Sequence, residues 1–419
     1  AITLPSNSAG GIKSIALATG AYSRIRRQFK IPIGKMEGIE EALARIGGNA
    51  YLMDAVTTMS TGAIDLGEKP SVISAIAKYH LTETMRQVVN DAMDIHGGKG
   101  ICFGPHNVLA HAYEAIPISI TVEGANILTR NLIIFGQGSI RAHPYLLKEM
   151  AILSIADQSK AVNEFDKALA LHGKYTASNM ARSFVFGISK GRFSEVPDSP
   201  LRHYYQQLNH LSAALTVATD VSLAMFGGSL KRRESLSARL GDVLSHLYLA
   251  SSTLRFYHQQ DQHDDVLLAK WACSNSIYQA QQALLSLMAN LPNRVVATLL
   301  KVIIFPIGPR YQPPSDDLTH ELAAQMMSPN ASRKRLINGI YQPSDVQQTL
   351  GQLDHACQLC VDAAPLEKKI RQSAYKSLQS ALNNRVITEQ EFQRVNAARA
   401  ARRQVIEVDH FTAQLEDEA

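Results

Sequence analysis

Apolar side chains recur every three to four residues along almost the whole chain, the period of helices that bury one face. IKSIALATGAYSRIRRQF predicts a helix over 12–29, stopped by IPIG. GIEEALARIGGNAYLMDAVTTMSTGAID predicts a long Ala-rich helix over 38–65, in which Gly47-Gly48 and Gly62 permit close packing at some cost in propensity. A third helix is predicted over 71–98: Pro70 precedes it, Ser71 is a candidate cap, and Gly97-Gly98 is a stop signal. After a short turn, a fourth helix is expected to begin close to Glu123 and to run to about Gln137. Four helices with short connections predict an antiparallel four-helix bundle over 1–148.

Beyond residue 149 the character changes but the period does not. AILSIADQSKAVNEFDKALALHGK, LRHYYQQLNHLSAALTVATDVSLAMF, SLSARLGDVLSHLYLASSTLRFYHQQ and LLAKWACSNSIYQAQQALLSLMANL all carry helical apolar stripes. The Pro-rich FPIGPRYQPPSD, 305–316, punctuates this region, and shorter helices run on to the acidic LEDEA. No run of alternating strands and no repeat of 20–50 residues is visible. The expected fold class is all-α, with an additional helical domain over 149–419.

Composition changes this picture little. At 419 residues, 46% hydrophobic and 19% charged, the chain can build well-formed cores. The net charge of +5 is mild, and Lys231-Arg232-Arg233, Arg333-Lys334-Arg335 and Arg402-Arg403 lack the interleaved aromatics of a nucleic-acid platform. They read as solvated helix faces, and no nucleic-acid partner is expected. Cys102, Cys273, Cys357 and Cys360 do not form a disulfide framework. Cys357-x-x-Cys360 lies in a helical stretch with no second ligand pair at zinc spacing, so a reduced pair, no metal and a cytoplasmic location are expected. No signal peptide and no uninterrupted apolar run of membrane-spanning length is apparent. VVATLLKVIIF, with Arg294, Lys301 and Arg310 nearby, reads either as core or as a peripheral membrane contact. His203, His210 and His246 are scattered along helices and read as structural.

Three segments carry candidate chemistry. RRQFKIPIG, 26–34, places two arginines and an aromatic at a helix end, where guanidinium groups suit either a phosphate or the helix dipole. HGGKGI, 96–101, offers glycines that let a backbone approach a phosphate closely, but no strand precedes it as in a dinucleotide fingerprint. The third is AIPISITVEGANILTRNLIIFG, 22 residues with two charges, Glu123 and Arg130. An ionised carboxylate buried in apolar surroundings needs a partner or a shifted pKa. Glu123 is therefore either paired with Arg130 at a helix start or a catalytic base.

Taken in order, these segments resemble the acyl-CoA dehydrogenase family, whose C-terminal helical domain carries an R-x-[QT]-F segment, a Q-x-x-G-G-x-G turn and a [YV]-E-G-[TA] helix start. Here they read Arg26-Arg27-Gln28-Phe29, Asp94-Ile95-His96-Gly97-Gly98-Lys99-Gly100 and Val122-Glu123-Gly124-Ala125. The resemblance covers roughly 10–148, and 149–419 is similar to the C-terminal extension of bacterial members that act in fatty-acid β-oxidation. It implies FAD-dependent conversion of a fatty acyl-CoA to the trans-2-enoyl-CoA, with electrons passed to an electron-transferring flavoprotein. Glu123 matches the base that removes the α-proton, in an apolar channel that raises its basicity. Gly124 matches the position whose amide meets the thioester carbonyl. Arg26, Gln28, Phe29, Gly97, Gly98, Gly100 and Ala125 match positions that touch FAD, largely that of a neighbouring subunit, which implies a homo-oligomer.

Four positions depart from the pattern: Asp94 stands for Gln, Ala125 for Thr, Glu114 for Arg and Lys30 for Gly. Lys99 is expected to be exposed. The family's upstream helical and β-sheet domains are not in this sequence, so the chain alone is expected to bind FAD poorly. The competing expectation is a non-catalytic helical scaffold or membrane-docking module.

Overall fold

Pro70 fixes the approach to one long helix, and Gly97, at φ +58°, takes the left-handed turn that ends it. Between them runs α3, Ser71–His96, preceded by α1, Thr3–Ile25, and α2, Glu37–Asp65. The computed structural model describes residues 2–104, 106–343 and 345–408. It is all-α except for one short antiparallel hairpin, β1 (Arg27–Gln28) and β2 (Ile31–Pro32).

The predicted first helix thus begins earlier and ends sooner. Phe29 and Lys30 both have positive φ, +48° and +68°, and make the hairpin turn where helix was expected to continue. The expected short turn after Gly98 contains three short helices: α4 (Gly98–Ile101), α5 (Ala110–Ala115) and α6 (Pro117–Thr121). The fourth helix starts after Glu123, as α7 (Asn126–Leu128), widens into a π-helical turn over Thr129–Ile134, and continues as α8 (Phe135–Ala142). The remaining helices are α9 (Leu146–Ile152), α10 (Gln158–Ser189), α11 (Arg202–Phe226), α12 (Glu234–Gln260), α13 (Val266–Ala289), α14 (Arg294–Ile304), α15 (Asp316–Met326), α16 (Ala331–Leu336), α17 (Thr349–Gln372), α18 (Leu378–Asn383) and α19 (Glu389–Ile406). Residues 305–315, the Pro-rich link, are non-helical.

The chain forms two compact units, and both draw on residues from either side of position 148. The first comprises Leu52–Leu81 and Ile120–Ser315 with the start of α1. Its core is the packing of α11, α12 and α13, where Leu211, Val217, Leu240, Val243, Leu254, Leu268 and Leu284 are fully buried. Arg130, in the π-helical turn between α7 and α8, grips Asp242 of α12 bidentately, at 2.8 and 2.5 Å. His210 is buried between the Tyr311 hydroxyl (2.5 Å) and the Ile304 carbonyl (2.9 Å), a structural role as expected for it.

The second unit comprises Ser6–Tyr51, Thr82–Ser119 and the residues from Asp316 on. Ile12, Ile25, Leu43, Ile46, Val88 and Leu322 form its main core. Gly20 lets α1 close onto α15, since a Cβ there would lie 2.5 Å from the Met326 carbonyl oxygen. Arg45 holds Asp91 through two bonds of 2.8 Å, fastening α2 to α3 within this unit. A smaller cluster joins α17, α18 and α19 around Ile370, Ala381, Val395 and Ala398. Cys357 and Cys360 are both buried on α17, and burial pushes their thiols up.

By length and composition one helix among the described residues, Arg202–Arg232, could cross a membrane, at mean hydropathy 1.4. Tyr204, His210 and Asp220 interrupt its apolar run. Leu211, Ala214, Val217 and Ala218 of this helix are fully buried in the first unit, as a core helix requires.

Candidate active site

Two consecutive residues with positive φ, Glu123 at +55° and Gly124 at +96°, make the turn between α6 and α7. For Gly124 this conformation is free of steric penalty, but for Glu123 it costs about 1–3 kcal/mol, so surrounding contacts must fix it. The clamp is Lys78, from the middle of α3. It is 2% exposed, and its Nζ donates to the Gly124 carbonyl at 2.6 Å and to Asn126 Oδ1 at 2.6 Å. Charge-assisted bonds of that length are about twice as strong as neutral ones. Thr129 Oγ1 stands 3.5 Å from the same carbonyl.

The Glu123 side chain is exposed, not buried within an apolar wall as expected. Three apolar residues beside it in the first unit share that exposure: Val122, Leu128 and, at 79%, Ile127. The charged pairing proposed as an alternative does not form either, because Arg130 is taken by Asp242. The arrangement is a fixed carboxylate on a rigid turn, set in an open apolar surface.

In the second unit, Arg26 is half-buried and Gln28 exposed on the hairpin, while Phe29, at 87%, is among the most exposed apolar residues. Gly97 and Gly98 are exposed, and a Cβ at either would meet nothing within 4 Å, so a ligand could approach both backbones. Gly100 differs: it is buried, and a Cβ there would press on Met93 Sδ at 3.0 Å, so this glycine serves packing. Lys99 is buried, contrary to expectation, with Nζ donating to the Glu407 carbonyl at 3.1 Å. His96 stacks on Tyr22 at 4.1 Å, and burial, with Lys99 nearby, lowers its pKa to about 3. Asp94 and Ala125 are exposed.

Residues 140–411 match the family model described as acyl-CoA dehydrogenase, C-terminal, bacterial type, and residues 2–136 match the acyl-CoA dehydrogenase C-terminal domain. The chain belongs to the acyl-CoA dehydrogenase family. Among curated relatives, a 3-(aryl)acrylate reductase of Clostridium sporogenes (strain ATCC 15579) is 35% identical over 79 residues, 19% of this chain and 21% of that protein. A probable acyl-CoA dehydrogenase of Bacillus subtilis (strain 168) is 26% identical over 143 residues, 30% of this chain and 24% of that protein. The Bacillus anthracis acyl-CoA dehydrogenase solved with FAD matches at TM-score 0.61 and 17% identity, over 78% of this chain and 54% of that one. Acyl-CoA oxidase-1 of Caenorhabditis elegans, solved with FAD and ATP, matches at TM-score 0.51 and 12% identity, over 89% and 54%. At these identities the likeness is one of fold. The chain thus spans about a quarter or less of those curated relatives and about half of the solved structures.

Within this family member the fold also assembles a constellation the sequence conceals. Asp220 of α11 accepts from Thr176 Oγ1 of α10 at 2.6 Å and from His143 Nε2 at 2.9 Å, with His172 Nε2 at 3.4 Å. Glu149 Oε1 holds the other nitrogen of His172 at 2.8 Å. The two histidines and Asp220 lie close enough to hold a metal ion. His143 Nδ1, however, faces the backbone amides of Tyr145 and Leu146, at 3.3 and 3.4 Å, which leaves the proton on Nε2. A metal on Nε2 would force that proton onto Nδ1, against two donors. The cluster is therefore a satisfied proton-bearing network; burial raises the Asp220 pKa, but the bonds from His143 and Thr176 outweigh that and hold it low.

Proposed function

We propose that the chain is the C-terminal helical part of an FAD-dependent dehydrogenase that converts a fatty acyl-CoA to its trans-2-enoyl-CoA. The observation that carries this reading is the Glu123-Gly124 turn, strained at φ and pinned by the buried Lys78. Glu123 takes the α-proton of the thioester. The fixed turn holds its carboxylate against the substrate, so little orientation is lost on binding. The amide of Gly124 donates to the thioester oxygen, where charge builds as the proton leaves. The exposed Val122, Ile127 and Leu128 give the acyl chain and the covering protein surface an apolar face.

FAD, when bound, supplies the acceptor for the β-hydride. Arg26 before the hairpin and Gln28 and Phe29 on it, with the open backbones of Gly97 and Gly98, would hold the flavin nucleotide of a neighbouring subunit in a homo-oligomer. Ala125, lacking the hydroxyl of the family pattern, and Asp94 make this grip weaker. We place the protein in the cytoplasm, in β-oxidation, with electrons leaving to an electron-transferring flavoprotein. A non-catalytic helical scaffold is the second reading, favoured by Asp94 and by the openness of the surface around Glu123.

The test is exchange of the substrate α-proton with solvent deuterium, catalysed by the complete reading frame. Wild type should exchange it, and Glu123→Gln should lose the exchange while still binding acyl-CoA. Equal exchange in both would remove Glu123 from the role.

A further inference from the structure

The hairpin and α17, both in the second unit, enclose a groove of about 490 Å³ that no step above uses. Five cations line it: Arg24 at the end of α1, Arg27 on β1, Lys35 beyond β2, and Lys368 and Arg371 on α17. The single carboxylate of the lining, Glu367, is already shared: it pairs with Arg27 and, at 3.1 Å, with Arg402 of α19. Arg24, Lys35, Lys368 and Arg371 have no ion-pair partner among the described residues. Like charges converging on one concave surface repel, and a polyanion in their midst relieves that repulsion.

The apolar part of the groove is as regular. Val361, Ala364, Pro365, Lys368 and Arg371 fall on one face of α17, spaced by one helical turn. That face therefore grades from apolar to cationic along its length, and Ile31 and Pro32 of β2 close the other side. The volume lies in the range of small-molecule sites, about 300–1,000 Å³. Arg26, Gln28 and Phe29, assigned above to FAD, do not line it.

We propose that this groove is a separate binding site for a free nucleoside diphosphate, its phosphates held by Arg24, Lys35, Lys368 and Arg371 and its base laid on Val361 and Pro365. The site does not depend on the catalytic reading. Guanidinium groups suit the diphosphate because each can bridge two phosphate oxygens. Glu367 does not oppose the ligand, since Arg27 and Arg402 already neutralise it.

Isothermal titration of this chain with ADP, pyrophosphate and adenosine tests the site, with FAD and CoA as competitors. ADP should bind with one-to-one stoichiometry, pyrophosphate more weakly and adenosine not measurably, and binding should weaken as salt is raised. Lys368→Glu with Arg371→Glu should weaken ADP at least about tenfold, because two phosphate contacts are lost and their charge is reversed. Both side chains are exposed, so the variant should keep its helical circular dichroism; Lys35→Glu alone gives an independent reversal. Absence of ADP binding, equal binding of adenosine, or indifference to both reversals would overturn the proposal. Displacement of ADP by FAD or CoA would also overturn it, by assigning the groove to the catalytic ligands.

Discussion

Lys78 shows how one residue can fix the carboxylate of Glu123 through the turn beside it. A lysine buried to 2% is costly unless its ammonium is bonded, and here it is spent on the Gly124 carbonyl and Asn126. Lys78→Met keeps the length of the side chain and removes the clamp. We expect the rate of flavin reduction by acyl-CoA in the complete enzyme to fall about 10–100-fold, since a misplacement of about 1 Å can cost that much. Substrate affinity should change much less, and the Lys78→Met, Glu123→Gln double variant should be no slower than Glu123→Gln alone. A Lys78→Met enzyme reducing flavin at the wild-type rate would exclude the positioning role. Nothing in the sequence marks Lys78, because one lysine in a helix ordinarily points to water. Glu123, by contrast, is legible from its charge-poor segment, while its exposure is not, because a run of apolar residues does not say what covers it.

At the scale of elements, punctuation decides what can be read. α3 begins at Ser71 as predicted and ends within two residues of the predicted stop, and α2 is displaced by one residue at its start. Pro70 and Gly97-Gly98 impose those limits physically. α1 ends sooner than predicted because Arg26-Arg27-Gln28 suits a helix by propensity, and only the left-handed Phe29-Lys30 turn diverts it. The π-helical turn after Leu128 has no sequence signature. α14 presents Val295, Leu299 and Val302 to solvent on one face, and buries Ala297, Leu300 and Ile304 on the other. With Arg294 and Lys301 beside it, this face is proposed as the peripheral membrane contact. Replacing Val295, Leu299 and Val302 by Ser should reduce flotation with anionic liposomes several-fold while leaving the melting temperature within a few degrees. Unchanged flotation would leave α14 as an ordinary surface helix.

For the whole molecule, acid is the expected weakness. His80 and His246 face each other across 5.0 Å in the first unit. Burial lowers both pKa values: His246 to about 4, and His80 well down, with His246 and Arg130 adding to the shift. His210 falls to about 4 for the same main reason. An unfolded histidine titrates near about 6.5, so between that pH and about 4 the unfolded chain takes up protons that the folded chain refuses. Stability should therefore fall as pH drops through this window and be fully present above it. Melting temperatures from pH 7.5 to 4.5 should show that slope, and His246→Leu should reduce it by about one proton. The His143–Asp220–His172 cluster belongs to this scale as well: its members sit on separate segments, 77 and 48 residues apart in their pairings, and only the fold brings them together.

Whether Glu123 is the base can be read from a titration of the complete reading frame, wild type beside Glu123→Gln, with a long-chain acyl-CoA in the absence of oxygen, following the flavin absorbance. Wild type should bleach, whereas Glu123→Gln should bind the ligand and stay oxidised. Bleaching of both at the same rate would contradict that role.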